Sequence, residues 1–141
     1  MARVHIDFPE HVQFTTVISV RITDLNYGNH LGNDAVLSLM HEARVRFLQH
    51  FGYSELDVAG VGIIMSDAAI QFKKEAFYGD ELTIEIATGD FTRVAFDMYY
   101  RLKNNQQEIV VAKTGIVCFD YALRKVAPVP EAFVQRMQTV L

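Results

Sequence analysis

The chain has a single cysteine, Cys118, so an internal disulfide is excluded. No apolar run approaches the roughly 20 residues that a membrane-spanning helix needs, so no membrane span is expected. Positive charge is scarce. Thirteen Lys and Arg against 17 Asp and Glu leave a net charge of −4. Binding to nucleic acid favours a basic face, so no nucleic-acid partner is expected. The sequence has no phosphate-binding loop, no G-x-G-x-x-G, no G-x-S-x-G and no paired metal-ligand spacing. Its histidines, His5, His11, His30, His41 and His50, are scattered. Neither a metal nor a cofactor is expected. The opening "MARVHIDFPE" carries charges and a proline and has no apolar h-region, so no signal peptide is expected. Those absences fit a cytoplasmic protein. There is no repeat, linker or low-complexity run, and 141 residues suit one domain, 1–141.

Half of the residues are hydrophobic, enough for a substantial core. "FTTVISVRI", residues 14–22, is β-branched and reads as a strand. In "AVLSLMHEARVRFLQHFG" the apolar residues Ala35, Val36, Leu39, Met40, Ala43, Phe47, Leu48 and Phe51 recur at helical period and form one stripe. Asn33 or Asp34 is the expected N-cap and Gly52 the stop. "GVGIIMSDAAIQFKK" reads as a strand ending before a turn at "YGD". "ELTIEIATG" sets Leu82, Ile84 and Ile86 against Glu81, Thr83 and Glu85 at period two. "FTRVAFDMYYRLKN" and "EIVVAKTGIVCFDY" read as two more strands around a turn at "NNQQ". Cys118, in the last of them, reads as a small buried apolar residue. "PEAFVQRMQTVL" is expected to form a short C-terminal helix. One long helix against an antiparallel sheet is an α+β layer arrangement. An open edge strand invites pairing, so a dimer with a continuous sheet is expected.

Between the first strand and the long helix lies "DLNYGNHLGND", residues 24–34. It is too polar for core. A helix start offers free N–H groups and the positive end of the dipole. Gly32 lets a ligand approach the backbone closely.

This stretch, with its helix, resembles the hotdog-fold thioesterases of the 4-hydroxybenzoyl-CoA thioesterase type. The family pattern is D-x-D-x-x-G-H-V-N-N followed by a helix with E-x-A-R. Asp24, Asn26, His30, Leu31, Gly32 and Asn33 fall on the first part, and Glu42, Ala43 and Arg44 on the second. "AFYGDEL" is similar to the family's turn before its third strand, and the similarity runs over residues 15–121. The resemblance implies a hotdog fold, with a long central helix packed on a curved antiparallel β-sheet. It also implies an acyl-CoA thioester substrate, with coenzyme A entering only as part of it, and a homodimer or homotetramer. The sequence departs from the pattern at Asn26, where many members carry the catalytic aspartate, and Asp34 is an extra carboxylate.

Thioester hydrolysis needs a base to deliver water and a donor for the oxyanion. An amide cannot act as the base, so Asn26 is expected to orient water or donate to a carbonyl. Asp34, at the helix start, is the first candidate base, against an alternative role as an N-cap. Asp24 is the second, against a turn-forming role. His30 is a candidate base, acid or orienting donor. Asn33 and Gly32 are expected near the substrate. Glu42 is a further candidate, against a plain i,i+4 pairing with Arg46. Arg44 is expected to make a structural pairing. Lys73, Lys74 and Arg93 are candidates for the coenzyme A phosphates, against solvated charges. Asp67 is expected at a subunit interface or in solvent. A non-catalytic acyl-CoA or acyl-carrier binding module and a hotdog hydratase are the rival readings.

Overall fold

A computed structural model describes residues 1–140. Strand β1 (Phe14–Ser19) leads through a 3-10 turn, Ile22–Asp24, into the polar loop and helix α1 (Asn33–His50). Strands β2 (Gly62–Phe72), β3 (Glu81–Gly89), β4 (Ala95–Asn104), β5 (Gln107–Asp120) and β6 (Lys125–Val126) follow, and α2 (Glu131–Thr139) closes the order. The expected C-terminal helix extended to Leu141, which lies outside the described residues.

Helix α1 forms where the apolar stripe lies. Val36, Leu39, Met40, Ala43, Phe47 and Leu48 are all buried. Burying side chains of the larger kind contributes about 1.5–3 kcal/mol each. The N-cap is Gly32, not Asn33 or Asp34, and no side chain caps the helix. The reason is local pairing. The Gly32 N–H donates to the Asp24 carbonyl at 2.9 Å, which holds Gly32 extended until the helix begins. At the other end Gly52 adopts φ +82°, the left-handed conformation that glycine takes without steric cost.

The strands form one antiparallel sheet in the order β1-β3-β4-β5-β2, with β6 pairing β5. Chain neighbours β2 and β3 are therefore not sheet neighbours. The segment with "YGD" is a crossover rather than a hairpin, and it carries the chain from one edge to β1's side. The "NNQQ" turn is a tight hairpin. Asn104 pairs with Gln107, and Asn105 and Gln106 both take positive φ without any glycine. Strand β4 starts at Ala95 rather than Phe91, because the Thr92 N–H and hydroxyl both bond the Ala95 carbonyl in a turn.

Alternation sorts the two faces. Leu82, Ile84, Ile86, Phe96, Met98, Tyr100 and Leu102 point into one core with α1. Glu85, Arg101 and Lys103 line the opposite face and pair with one another. Phe8, from the N-terminal segment, lies against that face with the Arg101 guanidinium 4.3 Å from its ring centre. Cys118 is buried, and burial pushes its thiol up to about 11.

One polar chain crosses the core beneath α1. Arg44 donates to Glu55 at 3.1 Å and to the Tyr100 hydroxyl at 3.1 Å, and Tyr100 bonds Thr114 at 2.9 Å. His41 reaches the other Glu55 oxygen at 2.8 Å. Burial works against the Glu55 charge, but the bonds from His41 and Arg44 outweigh it and hold the carboxyl below its ordinary range. This is the structural pairing expected for Arg44.

Candidate active site

The loop of residues 24–32 folds back on itself as a narrow hairpin. Leu25 and Leu31 bridge, the Asn26 N–H donates to the His30 carbonyl at 2.9 Å, and Gly32 closes on Asp24. In such a pairing residues 24, 26, 30 and 32 share one side, while the two leucines turn to the core. The polar residues of the motif thus converge because the loop is a hairpin.

Each has a distinct environment. Asp24 is buried and takes the Arg21 N–H at 2.8 Å and the Arg21 guanidinium at 3.2 and 3.3 Å. Its carboxylate is committed to holding the turn. The Asn26 side-chain oxygen accepts the Gly28 N–H at 2.9 Å, leaving its NH2 group outward. The His30 Nδ1 lies 3.3 Å from the Leu31 carbonyl, and Nε2 lies beside Gly28, 3.3 Å from where a Cβ would stand, and 3.8 Å from Glu75 Oε1. Asp34 is exposed, and among the described residues no side chain hydrogen-bonds or ion-pairs with it. Its Oδ1 lies over Gly32, 2.6 Å from where a Cβ would stand, and Asn26 Cβ is 3.5 Å from the same point. Asp34 and Asn26 therefore flank Gly32 together. The first N–H groups of α1, on Asn33 and Asp34, have no upstream carbonyl within the helix and lie at this end of it.

A cavity of about 220 Å³ opens beside the helix start. Leu31, Val36, Phe72, Ala76, Ile109 and Val110 make its apolar wall, and His30, Asn33, Lys73, Lys74 and Glu75 its polar mouth. The structure thus brings His30, Asn33 and Lys73 to one cavity, with Asp34, Asn26 and Gly32 adjoining. It does not bring Arg93 there. Strand β4 opposes β5 from Ala95–Val117 to Leu102–Val110, so Arg93 and the cavity lie at opposite ends of the sheet, about 24 Å apart along a strand. Lys73 is paired with Glu108 at 2.8 Å, while Lys74 is exposed beside it. Glu42 bonds Arg46 at 2.9 Å, the i,i+4 pairing. It lies in a separate groove with Val17, Ser19 and Arg21. Asp67 is exposed and is held by Lys113 at 2.8 Å and the Gly115 N–H at 2.9 Å, beside an irregularity in β2. Glu75 went unnoticed in the sequence, where it follows two lysines and reads as a solvated charge.

A helix cradled by a curved antiparallel sheet, with a polar hairpin at its N terminus, is the hotdog fold. The thioesterase-like superfamily matches residues 20–137, and the chain belongs to it. A 1,4-dihydroxy-2-naphthoyl-CoA hydrolase of Microcystis aeruginosa is 30% identical over 100 residues, 69% of this chain and 72% of that one. The Synechococcus elongatus protein of the same name is 31% identical over 101 residues, 68% of this chain and 74% of its own. Among solved structures, a 1,4-dihydroxy-2-naphthoyl-CoA thioesterase from Synechocystis superposes with TM-score 0.80 at 22% identity, covering 90% of this chain and 96% of that one. A gentisyl-coenzyme A thioesterase superposes with TM-score 0.78 at 17% identity, covering 88% and 99%. No helix among the described residues is long and apolar enough to cross a membrane. Among the same residues no cluster of three or more His, Cys, Asp and Glu is placed to hold a metal ion.

Proposed function

We propose that the chain hydrolyses an acyl-CoA thioester to the free acid and coenzyme A, and that its acyl group is compact and aromatic. The carrying observation is the helix start with its unpaired N–H groups beside a cavity with an apolar wall. About 220 Å³ corresponds to roughly seven waters at about 30 Å³ each. A ring system fits that space. The named activity of the cyanobacterial relatives points the same way.

In this reading the acyl group enters the cavity and the carbonyl oxygen meets the Asn33 and Asp34 N–H groups. Their dipoles stabilise the oxyanion as it forms. Asp34 takes a proton from the attacking water, and the Asn26 NH2 group orients that water across Gly32. Asp24 is bound up with Arg21 and holds the hairpin in shape. His30 faces the departing sulfur. Lys74 and Lys73 receive the coenzyme A phosphates at the mouth. Metal and cofactor have no part in these steps.

The working form is a homodimer joined through β2. That strand is paired on one side only, and Ile64, Met65 and Phe72 are exposed along it. Met65→Arg is expected to convert a dimer to a monomer by size-exclusion chromatography with light scattering. A monomeric wild type sinks this part.

A thiol-release assay across benzoyl, 1,4-dihydroxy-2-naphthoyl, acetyl and palmitoyl thioesters of coenzyme A tests the activity. Turnover of the aryl thioesters above the palmitoyl one is expected. The absence of turnover of every substrate at high enzyme concentration refutes it. Tight binding without turnover then identifies a binding module, the rival that Asn26 at the usual acid position raises.

A further inference from the structure

We infer that Glu75 is a positioning residue that keeps His30 aimed at the leaving sulfur. The inference rests on the thioesterase reading above. Glu75 Oε1 stands 3.8 Å from His30 Nε2, and both border the cavity mouth. The juxtaposition is built into the backbone. The Leu31 N–H donates to the Ala76 carbonyl at 2.8 Å, so residues 30–31 and 75–76 are clamped side by side. The segment carrying Glu75 is itself held at both ends. Lys73 and Lys74 N–H groups bond the Ile109 carbonyl at 2.9 and 3.2 Å, and beyond Glu75 the Gly79 N–H bonds the Val20 carbonyl at 2.9 Å. Ala76 is buried between these anchors. Glu75 is thus an exposed carboxylate on a fixed backbone.

The geometry suits an acid. Nδ1 addresses the Leu31 carbonyl at 3.3 Å, and Nε2 faces Glu75 across a gap too long for a direct hydrogen bond. The carboxylate is close enough to attract the Nε2 edge and too far to claim it with a hydrogen bond. The charges facing this pair are Lys73, Lys74 and Glu108 at the same mouth, and Asp34 across the helix start. Water oxygen bonds the thioester carbon while Asp34 takes its proton. The tetrahedral intermediate collapses, the C–S bond breaks, and the sulfur takes the pair with the proton from His30 Nε2. The Asp34 proton returns through solvent to His30. Glu75 exchanges no proton.

Glu75→Gln tests this against two thioesters of one acyl group, one of coenzyme A and one of nitrothiophenol. The nitrothiolate leaves without a proton, so an acid matters only for coenzyme A. With coenzyme A the variant is expected to lose about tenfold in kcat with little change in KM, a fraction of the usual general-acid contribution. With the nitrothiophenyl ester it is expected to keep kcat within about twofold. Glu75→Asp should recover part of the loss. Because Glu75 is 63% exposed, the melting temperature should not move. Equal losses on both substrates, or no loss on either, overturn the inference while leaving the thioesterase reading intact. Failure of the wild type on both substrates overturns the reading itself.

Discussion

Replacing Gly32 by alanine separates the chemistry from the fold. Gly32 sits at φ −73° and ψ 146°, a conformation alanine adopts without strain. The added Cβ would stand 2.6 Å from Asp34 Oδ1, 3.5 Å from Asn26 Cβ and 3.6 Å from the Asp24 carbonyl. Only the first contact is too short, and it falls on the free end of an exposed side chain. The carboxylate must retreat from 2.6 Å to the 3.4 Å of ordinary contact, a shift of about 0.8 Å. Folding stability should stay within about 0.5 kcal/mol, since reduced freedom of the unfolded chain offsets any crowding. Catalysis should suffer. A displacement near 1 Å from productive geometry costs about a hundredfold, or roughly 2.7 kcal/mol of transition-state stabilisation. The assay is kcat/KM on an aryl-CoA beside a urea titration of the same sample. Asp34→Asn supplies the reference for complete loss of the base. Wild-type kcat/KM in Gly32→Ala, or in Asp34→Asn, refutes the assignment of Asp34.

Three further outcomes follow from the same structure. Tyr100→Phe removes a hydroxyl placed between Arg44 and Thr114 in the core, so it should cost about 2–3 kcal/mol in urea unfolding, and a loss under about 0.5 kcal/mol would contradict the network. Glu55 titrates lower folded than unfolded, so its contribution is present above the unfolded glutamate range, about 4.3, and is lost as pH falls through the folded value. The stability gap between wild type and Glu55→Gln should therefore hold from pH 7 down to about pH 5 and shrink as pH falls below about 4.3, and a gap that stays constant below that point would count against the pairing. Cys118, with its thiol pushed up to about 11 by burial, should resist a thiol reagent at pH 8 until the protein is unfolded; rapid native labelling would show that the strand is less closed than described.

The helix, the period of β3 and the polar loop were legible in the sequence because each is a local pattern. The partnership of β2 with β5 was not. Both read as strands, but nothing in residues 60–74 names a partner 40 residues away, and the crossover through "YGD" looks like any turn. The helix cap was misjudged by one or two residues, because Asn33 and Asp34 have the usual capping chemistry while Gly32 is fixed by a bond from Asp24 that only the folded hairpin makes. The residues of the loop lie close together in the folded hairpin, but Asp24 and Asp34 could not be told apart until Arg21 was found against one of them. Arg93 could not be placed at all by composition, since distance along a sheet depends on register. Glu75 had no local signature, and its role depends on one backbone hydrogen bond between distant segments.

Arg46 has a consequence for how the protein behaves in a crowded solution. Its guanidinium bonds the Val17 carbonyl at 3.0 Å and the Thr16 hydroxyl at 2.9 Å, so the free side of β1 already has an occupant. A chain that pairs with the sheet on that side must first displace a side chain of the helix, so the arginine stands guard over one carbonyl of an outer strand.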